Sequence, residues 1–466
     1  MLKSKLSKFF KVSILAVTFL FTTAISGLNN ASAATTLSSD FNQLNSTKIV
    51  YEMGAGWNLG NQLEATDGNG NPSETAWGNP TITKTLIKKV KEAGFRTIRI
   101  PVSYLNKIGS APNYTIASSW LTRIKEVVDY AYSEGLFVII NMHGDGYPTV
   151  SGSWLLCNSN DQATIKAKYQ KAWEQIANTF SNYNERLIFE SMNEEFDGTY
   201  TPPNRTYYSN INAYNQIFVD TVRQTGGNNS ARWLLIPGWN TNIDYTVGDY
   251  GFVIPTDNYR SNTIPSSEKR IMISAHYYSP WDFCGDQSGK TTQWGQTSKD
   301  STKKSTWGQE DYLNSQFKAM HDKFTAQGYP VVIGEFGSVD KTNDDSTNNT
   351  YRAIFTQKVC STAKNYGAVP VVWDNGYNGQ YGFGLFNRSN ATVTQQGIID
   401  AIMSVEGAPT VLKGDVDGDG EVSMSDCIAL KKYLLNPSLN IKEKNADINE
   451  DGEIDISDLY ALYDLL

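Results

Sequence analysis

Eight short apolar segments recur along the chain: Met53–Asn58, Thr97–Val102, Phe137–Met142, Leu187–Met192, Trp233–Pro237, Ile271–Ala275, Val331–Gly334 and Pro370–Trp373. Each is followed by turn or polar residues and usually by a helical pattern. Several are continuous apolar runs, as strands covered on both faces must be. Between them, apolar residues return at helical spacing. Ile82, Leu86, Ile87 and Val90 share one face, and Gly94 supplies a stop. Leu121, Ile124, Val128 and Ala131 repeat the scheme up to Gly135, and Ile165, Tyr169, Ala172, Trp173, Ile176 and Phe180 repeat it again. Strand and helix alternating eight times predict an α/β fold, a (β/α)8 TIM barrel over residues 34–405. A doubly wound open sheet uses the same alternation, but no glycine-rich phosphate loop follows the first strand.

The two ends are of another kind. Lys3, Lys5, Lys8 and Lys11 precede an apolar run, Val12 to Ile25, and the small residues Ala31-Ser32-Ala33. This reads as a secretory signal peptide over 1–33 and predicts an extracellular protein. A membrane anchor is the alternative, but the run is short for a span, and no other stretch approaches spanning length. The leader carries four lysines and no acids, so its removal takes the net charge from −8 to −12. From Val411 onward there are 13 acidic and 5 basic residues. The acidity is thus concentrated at the C-terminus, which points to a cation site and argues against nucleic acid as a partner. Cys157, Cys284, Cys360 and Cys427 are widely scattered, with neither disulfide-framework nor zinc spacing, and are expected to be buried free thiols.

After a linker at 406–411, residues 412–466 contain a duplicated pattern. Asp415, Asp417 and Asp419 alternate, Gly420 follows, and Asp426 closes a twelve-residue loop. Asp447, Asn449 and Asp451 alternate, Gly452 follows, and Asp458 closes a second. Side-chain oxygens at positions one, three, five and twelve, with a backbone carbonyl from Glu421 or Glu453 at position seven, make the oxygen shell that calcium needs. Two structural Ca2+ ions are expected. A helix follows each loop, the first with Cys427, Leu430 and Leu434 on one side. A solvated acidic run is the ordinary reading of such stretches, but here two loops match at every ligand position.

Barrel enzymes carry reactive groups at the C-terminal ends of their strands. Here the second strand carries Arg99, the third ends in His143, and the fourth in Asn193-Glu194. The sixth ends in His276-Tyr277-Tyr278, the seventh in Glu335 and the eighth in Trp373. A glutamate at an apolar strand end is costly unless it is paired or functional. Two such carboxyl groups are what glycoside cleavage requires. One protonates the leaving oxygen, and the other attacks or activates water. Aromatic rings stack on the apolar faces of sugars, and Trp57, Trp77, Trp154, Trp239, Trp281 and Trp294 are candidate platforms. Core packing is an equal alternative for each.

From Thr36 to Met403 the chain resembles glycoside hydrolase family 5. The segments Gly56-Trp57-Asn58-Leu59-Gly60-Asn61, Glu74-Thr75-Ala76-Trp77-Gly78-Asn79-Pro80 and Trp373-Asp374-Asn375-Gly376 look like its clostridial endoglucanase branch, which includes broad β-1,4-glucanases and xyloglucanases. The resemblance implies a retaining endo-β-1,4-glucanase, with Glu194 as general acid/base and Glu335 as nucleophile, needing no cofactor for catalysis. It implies that Arg99 and Tyr278 hold Glu335 ionised, with a lowered pKa. It places Asn193 on the sugar 2-hydroxyl, His143 and His276 along the −1 subsite, and Trp373 beneath it. Glu195, next to the acid/base, reads as an exposed neighbour. A xyloglucanase or mixed-linkage glucanase would use the same machinery, with mannanase more distant. A catalytically inactive, scaffold-docked carbohydrate binder is the alternative of another class, and the intact carboxyl pair speaks against it. The tail resembles a type I dockerin, a small all-α calcium-binding module with two loop–helix repeats that binds cohesins on a cellulosome scaffold. By that resemblance Met424, Ser425, Lys431 and Lys432, with Ile456 and Ser457, face the cohesin. Lys431 and Lys432 are matched by Tyr463 and Asp464 in the second copy, so the first copy's face is expected to dominate.

Overall fold

The chain enters its barrel through a helix rather than a strand. In the computed structural model, which describes residues 37–406, 413–418, 422–439, 441–449 and 451–466, Ser46–Met53 is helical and Asn45 caps it by accepting the Lys48 N–H. Gly54, at φ 47°, ends the helix. The first apolar segment is therefore split, and strand β1 is Gly56–Asn58. The other strands are β2 Thr97–Ile100, β3 Phe137–Asn141, β4 Leu187–Glu190, β5 Leu234–Pro237, β6 Ile271–Tyr277, β7 Val331–Phe336 and β8 Ala368–Val372. All eight pair in parallel, in sequence order, and β1 closes on β8. Each predicted segment overlaps one of them, with ends that differ by a few residues. The leader, residues 407–411 of the linker, and Asp419, Gly420 and Glu421 lie outside the described residues.

Seven of the helices return the chain from one strand to the next, Lys84–Glu92, Ser118–Ser133, Gln162–Thr179, Arg205–Gln224, Ile243–Val247, Glu310–Lys323 and Asn348–Asn365, and Gln396–Glu406 follows β8. Several begin at side-chain caps. Thr83 accepts from Leu86 N–H, Asp161 from Thr164 and Asn204 from Tyr207, each satisfying a donor that the first turn leaves unpaired. Ile49 and Met53 of the entry helix pack on Phe137, Ile139, Ile188, Trp233, Leu235, Met272, Val332, Val369 and Val371, a cluster contributed by most of the strands. The helix is thus a floor under the barrel. All four cysteines are buried and unpaired, as the spacing suggested. No described helix is long and apolar enough to cross a membrane.

The tail builds its own small core from Val416, Cys427, Leu430, Ala446, Ile448, Leu459 and Leu462, with Leu434 partly buried against it. Its helices are Met424–Leu435, Glu443–Ala446 and Ile456–Asp464. The first and third begin with capping boxes, Ser423 with Asp426 and Asp455 with Asp458.

Truncating the floor tests its weight. Met53→Ala is expected to cost about 2–5 kcal/mol, since the surrounding strands cannot collapse into the gap. Urea unfolding measures the loss, and turnover of the folded fraction should be unchanged because the rim is at the other end.

Candidate active site

Arg99 on β2 is wholly buried and organises the C-terminal rim. Its Nε donates to Glu190 Oε2 at 2.7 Å, Nη1 to Asn58 Oδ1 at 3.0 Å and to Glu335 Oε1 at 2.8 Å, and Nη2 to Asn193 Oδ1 at 2.7 Å. Glu190 also accepts from Asn141 Nδ2 at 3.0 Å and from Ser274 Oγ at 2.7 Å. Every face of this guanidinium–carboxylate pair is therefore hydrogen-bonded, as a buried ion pair requires. Glu190, Asn58, Asn141 and Ser274 were not expected from the sequence as functional residues. The one available signal was a carboxylate inside the apolar run Leu187–Met192.

Glu335 sits on β7 where the register shifts against both neighbours, between Ala275 and His276 on β6 and between Ile333 and Phe336 on β7 itself. Such an irregularity re-aims a side chain. Gly334 gives the ring room: a Cβ there would stand 3.2 Å from His276 Nε2. Opposite lies Glu194, just past β4, with His276 Nδ1 at 2.7 Å from its Oε1 and 3.6 Å from Glu335 Oε2. One oxygen each of Glu194 and Glu335 and a ring nitrogen of His276 fall within 4.8 Å of one another. Tyr278 donates its hydroxyl to Glu335 Oε2 at 3.1 Å. Burial holds that phenol well above its ordinary pKa, so it remains a donor. Trp373 lies nearly parallel to His143, with ring centroids 6.2 Å apart. Burial, with Arg99 and His276 nearby, pulls the His143 imidazole well below its ordinary pKa and keeps it neutral. All eight rim residues expected from the sequence thus surround one cleft.

Two expectations are corrected. Desolvation raises the Glu335 carboxyl rather than lowering it, with Glu194 adding and His276 and Arg99 opposing. The sequence named the cation but not the dryness of the site. Glu195 is only 1% exposed, not a surface neighbour. Of the six candidate platforms, Trp57, Trp239 and Trp294 are core residues. Trp57 Nε1 is tied to Asp374 Oδ2 and Trp294 Nε1 to the Gly308 carbonyl. Trp154 is half-buried, whereas Trp77 and Trp281 are exposed, at 47% and 59%.

Facing carboxyl groups and an aromatic floor at the mouth of a (β/α)8 barrel define a glycoside hydrolase. The family profile of cellulases, glycosyl hydrolase family 5, matches residues 60–379, and the chain belongs to that family. The dockerin type I profile matches 413–466, so the tail is a dockerin. Endoglucanase A of Paenibacillus barcinonensis is 67% identical over 400 residues, covering 86% of this chain and 99% of the relative. Endoglucanase B of Clostridium cellulovorans is 36% identical over 440 residues, 91% of each chain. A solved family 5 xyloglucanase from Paenibacillus pabuli, in complex with ligand, is 73% identical with a TM-score of 0.76, covering 77% of this chain and 99% of that one.

The dockerin loops suit a hard cation. Carboxylate oxygens of Asp415, Asp417 and Asp426 lie within 4.8 Å of one another. In the second loop Asp447 Oδ1 is buried without a hydrogen-bond partner, while Asp458 Oδ1 gathers the Ile448 N–H at 2.7 Å. Asn449 donates to Asp451 Oδ2 at 2.8 Å, and Gly452 N–H donates to Asp447 Oδ2 at 3.1 Å. Glu453 is exposed, so its part would be its backbone carbonyl. On the surface, Met424, Ser425, Lys431, Lys432 and Ile456 are exposed, and Ser457 is partly covered. The Lys431 ammonium contacts the Tyr463 hydroxyl and lies 5.0 Å from its ring centroid. Lys431 of the first copy and Tyr463 of the second therefore lie side by side.

Chelation tests the loops. EDTA should remove a separate dockerin transition from the melting curve of the full chain, because so small a core needs its metal to fold. Activity on soluble glucan should persist. A dockerin transition unchanged by EDTA would show that the loops fold without the cation.

Proposed function

We propose that the chain is a secreted endo-β-1,4-glucanase that cleaves with retention through a covalent glycosyl-enzyme and is carried to a cellulosome scaffold by its dockerin. The close approach of Glu194 and Glu335, within 4.8 Å across the cleft, carries the reading. It is the short separation of a nucleophile pair, whereas inverting enzymes hold their carboxyl groups at about 6.5–9.5 Å to admit a water. Glu335 attacks the anomeric carbon while Glu194 protonates the departing oxygen. Glu194 then takes the proton from the water that releases the sugar. Arg99 steadies the Glu335 carboxylate. Because Arg99 holds the Asn193 carbonyl oxygen, the Asn193 NH2 is left to donate toward the sugar 2-hydroxyl. Neutral His143 and Trp373 offer a flat floor to the −1 sugar, and His276 steadies Glu194. Family 5 chemistry needs no cofactor, so the expected calcium belongs to the tail. We assign two ions to it, one per loop.

The similarity to the Paenibacillus pabuli xyloglucanase supports a cleft that accepts branched glucans as well. The domain plan consistent with this reading is a leader at 1–33, barrel at 34–405, linker at 406–411 and dockerin at 412–466. Met424, Ser425, Lys431, Lys432, Ile456 and Ser457 contribute to the cohesin-binding surface.

Glu335→Gly should lose activity, with azide restoring cleavage of an activated substrate as the α-glycosyl azide. Glu194→Ala with azide should give the β-azide. Inversion in the wild type, read by NMR of the first-formed anomer, refutes the mechanism. Wild-type enzyme should release reducing ends from both carboxymethylcellulose and xyloglucan. No xyloglucan cleavage at high enzyme load removes the breadth, and no release from any glucan favours an inactive binder. Glu335 must be ionised to attack, so the acid limb of kcat/KM should lie above the ordinary carboxylate value, about 4.3. Tyr278→Phe, which withdraws a donor from the charged form, should move that limb further upward.

A further inference from the structure

We propose that Glu195 is a positioning residue for Glu194, acting as an uncharged acid that clasps the end of β4 to the loop after β3. The inference rests on the acid/base reading of Glu194 given above. Glu194 faces the cleft, whereas Glu195 turns into the packing behind it and is almost wholly buried. Its Oε1 accepts the Cys157 N–H at 2.9 Å, and its own carbonyl accepts the Asn240 N–H at 2.9 Å. Asn193 N–H bonds to the Met142 carbonyl at 3.1 Å. The backbone that carries Glu194 is therefore fixed from the loops after β3 and β5, and Glu195 is its side-chain tie.

The other oxygen shows the chemistry. Glu195 Oε2 is buried and has no hydrogen-bond partner. It lies against Gly146, where a Cβ would stand 1.8 Å from Oε2 and 3.2 Å from the Leu155 carbonyl oxygen. No group donates to that oxygen, so a carboxylate would leave a buried charge unpaired, whereas the protonated acid carries none. The nearby phenols are committed elsewhere, Tyr169 to the Ser191 carbonyl at 2.6 Å and Tyr214 to Gln162 Oε1 at 2.6 Å. Burial pushes the Glu195 carboxyl well above the ordinary range, opposed by Cys157 alone. The clasped loop is built for the same end. Asp145, two residues after His143, accepts the Tyr104 and Leu105 N–H groups and Trp154 Nε1. Loosening Glu195 would thus release Glu194 from a geometry in which an ångström matters.

Glu195→Gln keeps the shape and places an N–H where the acid carries its proton, whereas Glu195→Ala removes the clasp. Gly146→Ala displaces it from the other side and covers the case in which Glu195→Ala does not fold. The measurement is kcat/KM on carboxymethylcellulose and on 2,4-dinitrophenyl cellobioside, whose leaving group departs with little protonation, with thermal melts throughout. Glu195→Gln should stay within about threefold of wild type on both substrates. Glu195→Ala and Gly146→Ala should lose about 10–100-fold on the polymer and much less on the aryl glycoside, a milder form of the Glu194→Ala pattern. Equal losses on both substrates would reduce Glu195 to general support and overturn the inference, as would a Glu195→Gln variant no better than alanine. If Glu194→Ala itself shows no dependence on the leaving group, it is the acid/base reading that fails.

Discussion

One buried guanidinium sets the geometry of the rim. Arg99 joins β1, β2, β4 and β7 by bonding Asn58, Glu190, Glu335 and Asn193 at once. A lysine could supply the charge but not the planar fork that reaches four partners. Two carboxylates share this one cation. Glu190, fully enclosed and bonded on all sides, serves as its permanent counter-ion. Glu335 receives only part of the positive field, which is why burial prevails in its ionisation.

The barrel was legible because its signal repeats: eight apolar runs, each alternating with a helical face, leave few other architectures. The rim was legible for a related reason, since a polar residue that closes an apolar strand has to be explained. That logic found Glu194, Glu335, Arg99 and His276. It gave no role to Glu190, which has the same chemistry but lies one turn of reasoning deeper, as a partner rather than a reactant. It misplaced Glu195 because adjacency along the chain carries no information about what packs behind a strand end. The tryptophans were ambiguous for a simpler reason. Trp57 and Trp281 look alike in sequence, and only the third dimension sends one to Asp374 and the other to solvent.

In the tail, the aspartate that closes each loop does two things. Asp426 and Asp458 cap the helices that follow, through the Ser423 and Asp455 N–H groups, and turn their other oxygen toward the loop backbone. Each closing aspartate thus ties the loop backbone to the first turn of the helix that follows.

The helical floor has a consequence for the order in which the molecule can be made. Ile49 and Met53 are among the earliest residues of the barrel to be synthesised, yet their cover includes Val369 and Val371 from its last strand. Until that strand exists, the floor has nothing complete to close. Synthesis from the N-terminus therefore carries an unsatisfied apolar helix for nearly the whole length of the barrel. Closure of the barrel and burial of its first helix fall together at the end. The same contact that steadies the finished enzyme leaves the nascent one open for longest, and so dependent on whatever keeps an unfinished chain from aggregating.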